Sequence, residues 1–206
     1  MIKEAKSEWI RKVVYQLESK VIFPFRFKKV SYNHISIPKD HAILLLQNHI
    51  SWWDGFWGNY LTYDLFKRRY HVMTLEDQIV KNPLLRHLGG FSVRKNSRQA
   101  LESIQYAKEL LDDPKNTVLI FPQGRLQSMH VNEIHIEQGV MKLIEKIDAP
   151  CQVIYNAVTI DYLESFKPTV TFHLLDLGTP GAIDTKSLQQ TITSHHILAM
   201  KSAIRK

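Results

Sequence analysis

The sequence predicts an α/β fold: a single domain with a mixed, mostly parallel sheet flanked by helices, preceded by an amphipathic N-terminal helical arm. Three observations carry that reading. Short apolar runs alternate with helix-period segments along most of the chain, the pattern of a sheet covered on both faces. The 206 residues suit one large domain, and 44% hydrophobic against 23% charged side chains leaves enough apolar surface for a sizeable core. No repeat, low-complexity tract or linker splits the body, so the chain divides into an arm over residues 1–29 and a domain over 30–206.

The arm comes first. Trp9, Ile10, Val13, Val14, Leu17 and Val21 recur at helical spacing, with Lys6, Arg11, Lys12 and Lys20 interleaved. It runs into Phe23-Pro24-Phe25-Arg26-Phe27. Residues 1–29 carry eight basic and three acidic side chains, so five of the seven net positive charges sit here. Aromatic and basic residues in that mixture suit a helix lying on an anionic membrane surface; a helix docked on its own domain is the other reading.

The body alternates. Val30 to Ile37 reads as a strand, Ala42 to Gln47 as a short buried one, and Trp52 to Phe66 as a helix. A strand over His71–Leu75 precedes a short helix near Asn82-Pro83 that stops at Gly89-Gly90, and a strand follows over Phe91–Arg94. Ser97 is placed to cap a helix whose apolar face carries Leu101, Ile104, Ala107, Leu110 and Leu111. Thr117–Phe121 is a buried strand broken by Pro122 and Gly124. A helix around Gly139–Ile147, strands over Cys151–Ile160 and Thr169–Leu175, and a final helix from about Ser187 complete the order.

Several function classes are excluded or weakened at once. The longest apolar stretch, Ala42–Leu46, is far short of the roughly 18 residues of a membrane span, and charges at Lys3, Glu4, Lys6 and Glu8 interrupt any secretory leader. The single Cys151 forms no internal disulfide, which fits a reducing, cytoplasmic setting. It opens an apolar strand and reads as a buried core thiol. Nucleophile-elbow, P-loop, dinucleotide and H-E-x-x-H signatures are missing. His130, Glu133, His135 and Glu137 match no defensible metal spacing, so no metal is assigned. No groove-reading or RNA-binding motif accompanies the basic arm, so nucleic acid is not the expected partner.

One segment stands apart: Gln47-Asn48-His49-Ile50-Ser51-Trp52-Trp53-Asp54 follows a buried strand directly, and strand C-terminal ends are where open α/β sheets bind ligands. On one continuous helix, residues five apart point about 140° from each other. His49 and Asp54 therefore meet only if His49 is in the loop and Asp54 in the first helical turn, with Ser51 as N-cap and Asp54 at the third helical position. Asp54 can then accept from one ring N–H, leaving the other nitrogen as a base. Ser51-x-x-Asp54 also has the form of a capping box, in which Asp54 only satisfies backbone donors.

These residues resemble a known family. Asn48-His49-x4-Asp54 is similar to the H-x4-D signature of the glycerolipid acyltransferases, which include 1-acylglycerol-3-phosphate and lysophospholipid acyltransferases. Leu75-Glu76, Asn82-Pro83 and Gly89-Gly90-Phe91-Ser92-Val93-Arg94 resemble its second block. Val118 to Arg125, with Phe121-Pro122-Gln123-Gly124, resembles the third; Gln138-Gly139 and Ala149-Pro150 resemble landmarks before the fourth. The likeness spans about residues 30–160. It departs at Gln123, where the family has glutamate, at Arg125 in the usual threonine position with Leu126 in the arginine position, and at Val153-Ile154-Tyr155, which lacks the usual proline. Gln123 keeps hydrogen-bonding capacity without the charge.

The resemblance implies acyl transfer from an acyl thioester, acyl-CoA or acyl-carrier protein, to the hydroxyl of a lysolipid or other phosphorylated alcohol, with no cofactor beyond that co-substrate. His49 is then the general base, Asp54 orients it, and Arg94 and Arg125 grip the acceptor's anion, with Gln123 and Gly124 shaping the substrate-binding turn beneath. Backbone N–H groups of Ser51–Trp53 are candidate oxyanion donors. Trp52, Trp53, Phe56 and Trp57 read as core packing or as walls of an acyl channel. The competing functions are a thioesterase using the same pair on water and a non-catalytic lipid-binding member of the fold. The arm adds an anionic membrane surface as partner, and a peripheral position on its inner face.

Overall fold

The computed structural model describes residues 1–5, 7–94 and 98–204, so Lys6 of the arm and the capping position Ser97 lie outside the described residues. Seven strands form one sheet: β1 (Lys29–Tyr32), β2 (Ala42–Gln47), β3 (Arg69–Leu75), β4 (Gly90–Val93), β5 (Asn116–Ile120), β6 (Cys151–Asp161) and β7 (Thr169–Gly178), in the order β1-β7-β6-β2-β5-β3-β4. Every neighbouring pair is parallel except β6 and β7, so the sheet is mixed and mostly parallel as expected.

β2 lies in the middle because all six of its residues are buried. Its side chains alternate between two cores. Ala42, Leu44 and Leu46 pack with Ile104, Ala107, Leu143 and Leu188, while Ile43 and Leu45 pack with Trp57, Leu61, Phe23 and Phe27. The first face is covered by α6 (Arg98–Leu111), α7 (Gln138–Lys146) and α8 (Thr185–Ile204), and the short α4 (Glu76–Lys81) and α5 (Leu84–His87) link β3 to β4. The second is covered by α3 (Asp54–Leu61) and the arm, which is α1 (Glu8–Leu17), a π turn (Glu18–Ile22) and α2 (Phe23–Arg26). Leu101, expected on the apolar face of α6, is exposed. Ser103 takes a buried place instead, its hydroxyl donating to the Ser92 carbonyl of β4 (2.8 Å).

β1 is shorter than the sequence pattern, stopping at Tyr32 rather than Ile37. The side chain of Asn33 ends it: its amide donates to the Leu174 carbonyl (2.9 Å) and its oxygen accepts the Leu174 N–H (2.6 Å). An asparagine side chain thus replaces one step of the β1–β7 ladder and releases the backbone. Asn48 does the same at the end of β2, taking the Val158 N–H (2.7 Å) and donating to the Val158 carbonyl (3.0 Å).

The arm is docked, with part of its polarity reversed. Arg11, expected among the charges turned to an anionic surface, is buried: it donates to the Tyr70 carbonyl (2.9 Å) and pairs with Glu4 (3.3 Å), which also holds His71 Nδ1 (2.7 Å). Glu18 is buried too, accepting from Asn59 (2.8 Å), and burial pushes its carboxyl up to about 8. Trp9, Val13, Leu17, Val21 and Phe25 meanwhile face outward, each 49–72% exposed. In an α-helix a row of residues four apart drifts by about 40° per step. The wider π turn between Leu17 and Phe23 offsets part of that drift and keeps the apolar stripe on one side.

Because β2, β3, β4, β5 and β6 are parallel, their C-terminal ends share one edge of the sheet. The segment after β2 opens on that edge.

Candidate active site

His49 and Asp54 meet on this edge. His49 Nδ1 lies 2.6 Å from Asp54 Oδ2, which also accepts the N–H groups of Ile50 (2.7 Å) and Ser51 (2.9 Å). An oxygen already accepting two backbone donors is an acceptor for the ring as well, so Nδ1 carries the hydrogen and Nε2 is the ring's acceptor nitrogen. Asp54 is the first residue of α3, not the third as expected, because Ser51–Trp53 form a separate turn. Ser51 Oγ accepts from the Trp53 N–H (3.2 Å) while Asp54 takes the Ser51 N–H. The capping pattern and the His–Asp contact therefore coexist on one carboxylate. Burial pushes the Asp54 carboxyl above the usual carboxylate range, against the lowering pull of His49 and the backbone donors. Of the backbone groups considered as oxyanion donors, those of Ser51 and Trp53 are engaged by these side chains.

The strand ends hold the loop. Gln47 Nε2 donates to the Asp54 carbonyl (3.1 Å) and its oxygen accepts from Asn156 Nδ2 (3.0 Å). Asn48 is fastened to Val158 as described above. From β5, Phe121-Pro122-Gln123-Gly124 forms a turn closed by Gly124 N–H on the Phe121 carbonyl (3.0 Å), and Gly124 has φ +62°, a conformation that favours glycine. That turn and Gln127 beyond it clasp the histidine at three points. The Phe121 ring stacks on the imidazole (centroids 4.1 Å, planes 15° apart), Gln123 Oε1 accepts the His49 N–H (2.9 Å), and the Gln127 N–H reaches the His49 carbonyl (2.8 Å).

Gln123, expected at the substrate, is thus a buried support for His49, since both ends of its amide are taken by protein. Its Nε2 lies 2.7 Å from the Gln127 amide, whose other end lies 3.2 and 3.3 Å from Nε and Nη2 of the exposed Arg125. Gln127 has one oxygen for these two donors. The His49 N–H fixes which end of Gln123 accepts, so the Gln127 oxygen belongs on Gln123.

Arg94 follows the last residue of β4. Val93 pairs with Leu75 of β3, and the ladder from Val72 through Leu119 to Leu45 puts Arg94 at the height of Asn48–His49, three strands away. That is about 14 Å at the usual strand spacing. Its guanidinium is half-exposed and pairs with Glu76. Trp57 is buried in the core, Trp53 and Phe56 are half-buried, and Trp52 is exposed, so the aromatic start of α3 divides between packing and surface. His130, Glu133 and His135 lie in an exposed loop, and among the described residues no group of three or more acidic, His or Cys side chains converges as metal ligands. Cys151 is buried, its thiol pushed up to about 12 by burial.

An acyltransferase family model matches residues 29–156, which run from β1 into the first half of β6 and include His49, Asp54 and the residues that hold them from β2, β5 and β6 up to Asn156. The chain belongs to the acyltransferase family. The resemblance carried by Asn48-His49-x4-Asp54 and the blocks after it therefore holds for the family. Among solved structures, this acyltransferase is similar to the 1-acyl-sn-glycerophosphate (LPA) acyltransferase PlsC from Thermotoga maritima. The TM-score is 0.65 at 16% identity, over 95% of this chain and 81% of that one, a likeness of fold. No curated protein sequence matches it.

Sequence reasoning missed the supports of this acyltransferase's site: Gln47, Asn48, Asn156, Phe121 and Gln127. A signal was present for three of them. Gln47, Asn48 and Asn156 are polar residues at the end or in the middle of otherwise apolar strands, where an amide must find buried partners.

Proposed function

We propose that this acyltransferase moves a fatty acyl group from an acyl thioester, acyl-CoA or acyl-carrier protein, to the hydroxyl of a lysophospholipid or glycerol-phosphate-type acceptor. The observation that carries the reading is the 2.6 Å His49–Asp54 contact at the catalytic edge of a parallel sheet, with the ring plane fixed by Phe121. His49 Nε2 takes the acceptor's hydroxyl proton as the oxygen attacks the thioester carbonyl. Asp54 stabilises the imidazolium that forms. The tetrahedral intermediate collapses with cleavage of the C–S bond, and the imidazolium returns the proton to the leaving thiolate. A thioester is already activated, so no covalent enzyme intermediate and no cofactor are required.

Arg94 suits an anion held at a distance from the reacting hydroxyl, at the same sheet edge as His49, and would exchange its partner Glu76 for the acceptor phosphate. Arg125 stands next to the His49 clasp and serves the same anion from the other side. An acceptor like the one in PlsC's name fits a site with two guanidiniums and one base.

The outward stripe Trp9, Val13, Leu17, Val21 and Phe25, flanked by exposed Lys12, Lys20, Arg26, Lys28 and Lys29, supports a peripheral position on an anionic membrane, at its inner, cytoplasmic face. A helix that only docked on its own domain would turn this stripe inward. The test is an acyl-transfer screen with free-thiol readout, run with lysophosphatidic acid, other lysolipids, non-lipid alcohols and no acceptor. Thiol release that needs an added lysolipid supports the proposal. Release without any acceptor makes the protein a thioesterase, and no release leaves a lipid-binding member of the fold.

A further inference from the structure

The β6–β7 hairpin overhangs the catalytic edge. Pairing of β6 with β2 ends at Asn156, yet β6 continues through Ala157–Asp161 before turning. Five further residues at strand rise carry the turn about 17 Å past the end of β2. The tip is apolar and bare: Tyr162 is 59%, Leu163 72% and Phe166 fully exposed. Leu163 has φ +46°, a left-handed conformation a leucine seldom takes.

The tip is continuous with the arm. Lys167 Nζ donates to the Pro24 carbonyl (3.0 Å) and sits 5.6 Å over the Phe25 ring, and the Lys28 N–H reaches the Pro168 carbonyl (2.9 Å). Phe25, Phe27, Trp53, Tyr162 and Phe166 line one surface cavity of about 350 Å³, which does not include His49 or Asp54 but adjoins their loop through Trp53. Phe25 is the last residue of the arm's outward stripe, so stripe and tip form one apolar band along this side of the molecule. Scattered exposed apolar residues are ordinary; three within five residues, joined to a five-residue stripe, are not.

We propose that Tyr162, Leu163 and Phe166 insert into the bilayer the arm lies on, as a second anchor that sets the catalytic edge of the sheet against the membrane. The proposal rests on the membrane reading given above. Charge at the two anchors differs. Asp161 at the end of β6 and Glu164 in the turn accompany Lys167, so the tip's attraction to anionic lipid is weak and insertion is mainly apolar, whereas the arm adds its cations. The hairpin's contribution therefore persists at high salt and the arm's declines.

The experiment uses the full chain and vesicles of phosphatidylcholine with phosphatidylglycerol. Leu163→Cys is labelled with an environment-sensitive fluorophore; native Cys151 is buried. Asp112→Cys, exposed ahead of β5 at the opposite sheet edge, is the control. The label at 163 is expected to shift to the blue on vesicles and to be quenched by brominated acyl chains, and the label at 112 is not. Phe166→Ser with Leu163→Ser is expected to weaken vesicle binding by at least about tenfold at both low and 1 M salt, given the transfer value of two large apolar side chains. Melting temperature reports that the fold is kept. If the intact protein binds vesicles while the 163 label stays in water and the double variant binds equally well, the second anchor is refuted and the arm alone suffices. If the intact protein binds no vesicle, the membrane reading fails, and the anchor with it. If the protein is a dimer without lipid and the double variant a monomer, the tip is a self-association surface and the proposal is overturned.

Discussion

Asp54→Asn is the perturbation that separates a catalytic carboxylate from a capping one. Asp54 Oδ2 meets His49 Nδ1 at 2.6 Å and is buried, so under the proposed mechanism an imidazolium formed on His49 would face a full negative charge about 4 Å from its own charge centre. At an effective dielectric of about 20 that attraction is about 4 kcal/mol, or about a thousandfold in rate if all of it acts in the transition state. The amide keeps an acceptor for the ring and a cap for Ile50 and Ser51 but has no charge. Stability moves little, because weaker hydrogen bonds are offset by removal of a buried charge that burial already disfavours. The expected result is a kcat lower by about 10³ with a melting temperature within about 4 °C of the parent. His49→Ala should cost at least as much, and the double variant little beyond it, since the two act as a unit. The assay is steady-state thiol release from acyl-CoA with lysophosphatidic acid. A kcat within tenfold of the parent together with a clear fall in melting temperature would sink the dyad and leave Asp54 as a cap.

Other expectations follow from the same geometry. Gln123→Ala removes the acceptor of the His49 N–H, and kcat should fall by about tenfold while KM for both substrates holds, as measured in the same assay. Arg94→Gln and Arg125→Gln should each raise the acceptor KM far more than the donor KM; equal effects would mean structural damage. Burial holds the Glu18 carboxyl at about 8 against an ordinary 4.5, so the folded protein keeps a proton the unfolded chain has lost, and stability should fall as pH rises from about 4.5 to about 8. Glu18→Gln should flatten that fall and be more stable at pH 8 by about 1–3 kcal/mol in urea titrations, while equal pH slopes would refute the assignment. Changing Lys12, Lys20, Lys28 and Lys29 to Gln should reduce pelleting with anionic liposomes at low salt, with a smaller effect at 1 M salt.

The strands and their class were legible because burial writes itself into composition: Ala42–Gln47, Asn116–Ile120 and Cys151–Asp161 are apolar runs and become the central strands. The five-residue interval from His49 to Asp54 across a strand-to-helix turn allowed a ring–carboxylate contact but fitted a capping box equally well, and the resemblance of the blocks downstream is what singled the pair out. What was not legible depends on partners far along the chain. Arg11 reads as a surface cation until Glu4 and the Tyr70 carbonyl, 59 positions away, take it inward. Asn33 looks like part of a strand until its side chain binds Leu174. Gln123 reads as a ligand group by position in a motif, whereas its direction is set by the His49 N–H, 74 positions earlier. The arm's helical period was plain from its sequence, but period alone does not say which face turns outward, and here the apolar stripe does.

The most direct test of the central claim is a product balance. Purified protein is incubated with labelled acyl-CoA and lysophosphatidic acid, and both free thiol and the acylated lipid are measured. One mole of diacyl lipid per mole of thiol, lost in His49→Ala, is the predicted result. Thiol release with labelled free fatty acid as the product, or transfer that survives in His49→Ala, would contradict the account.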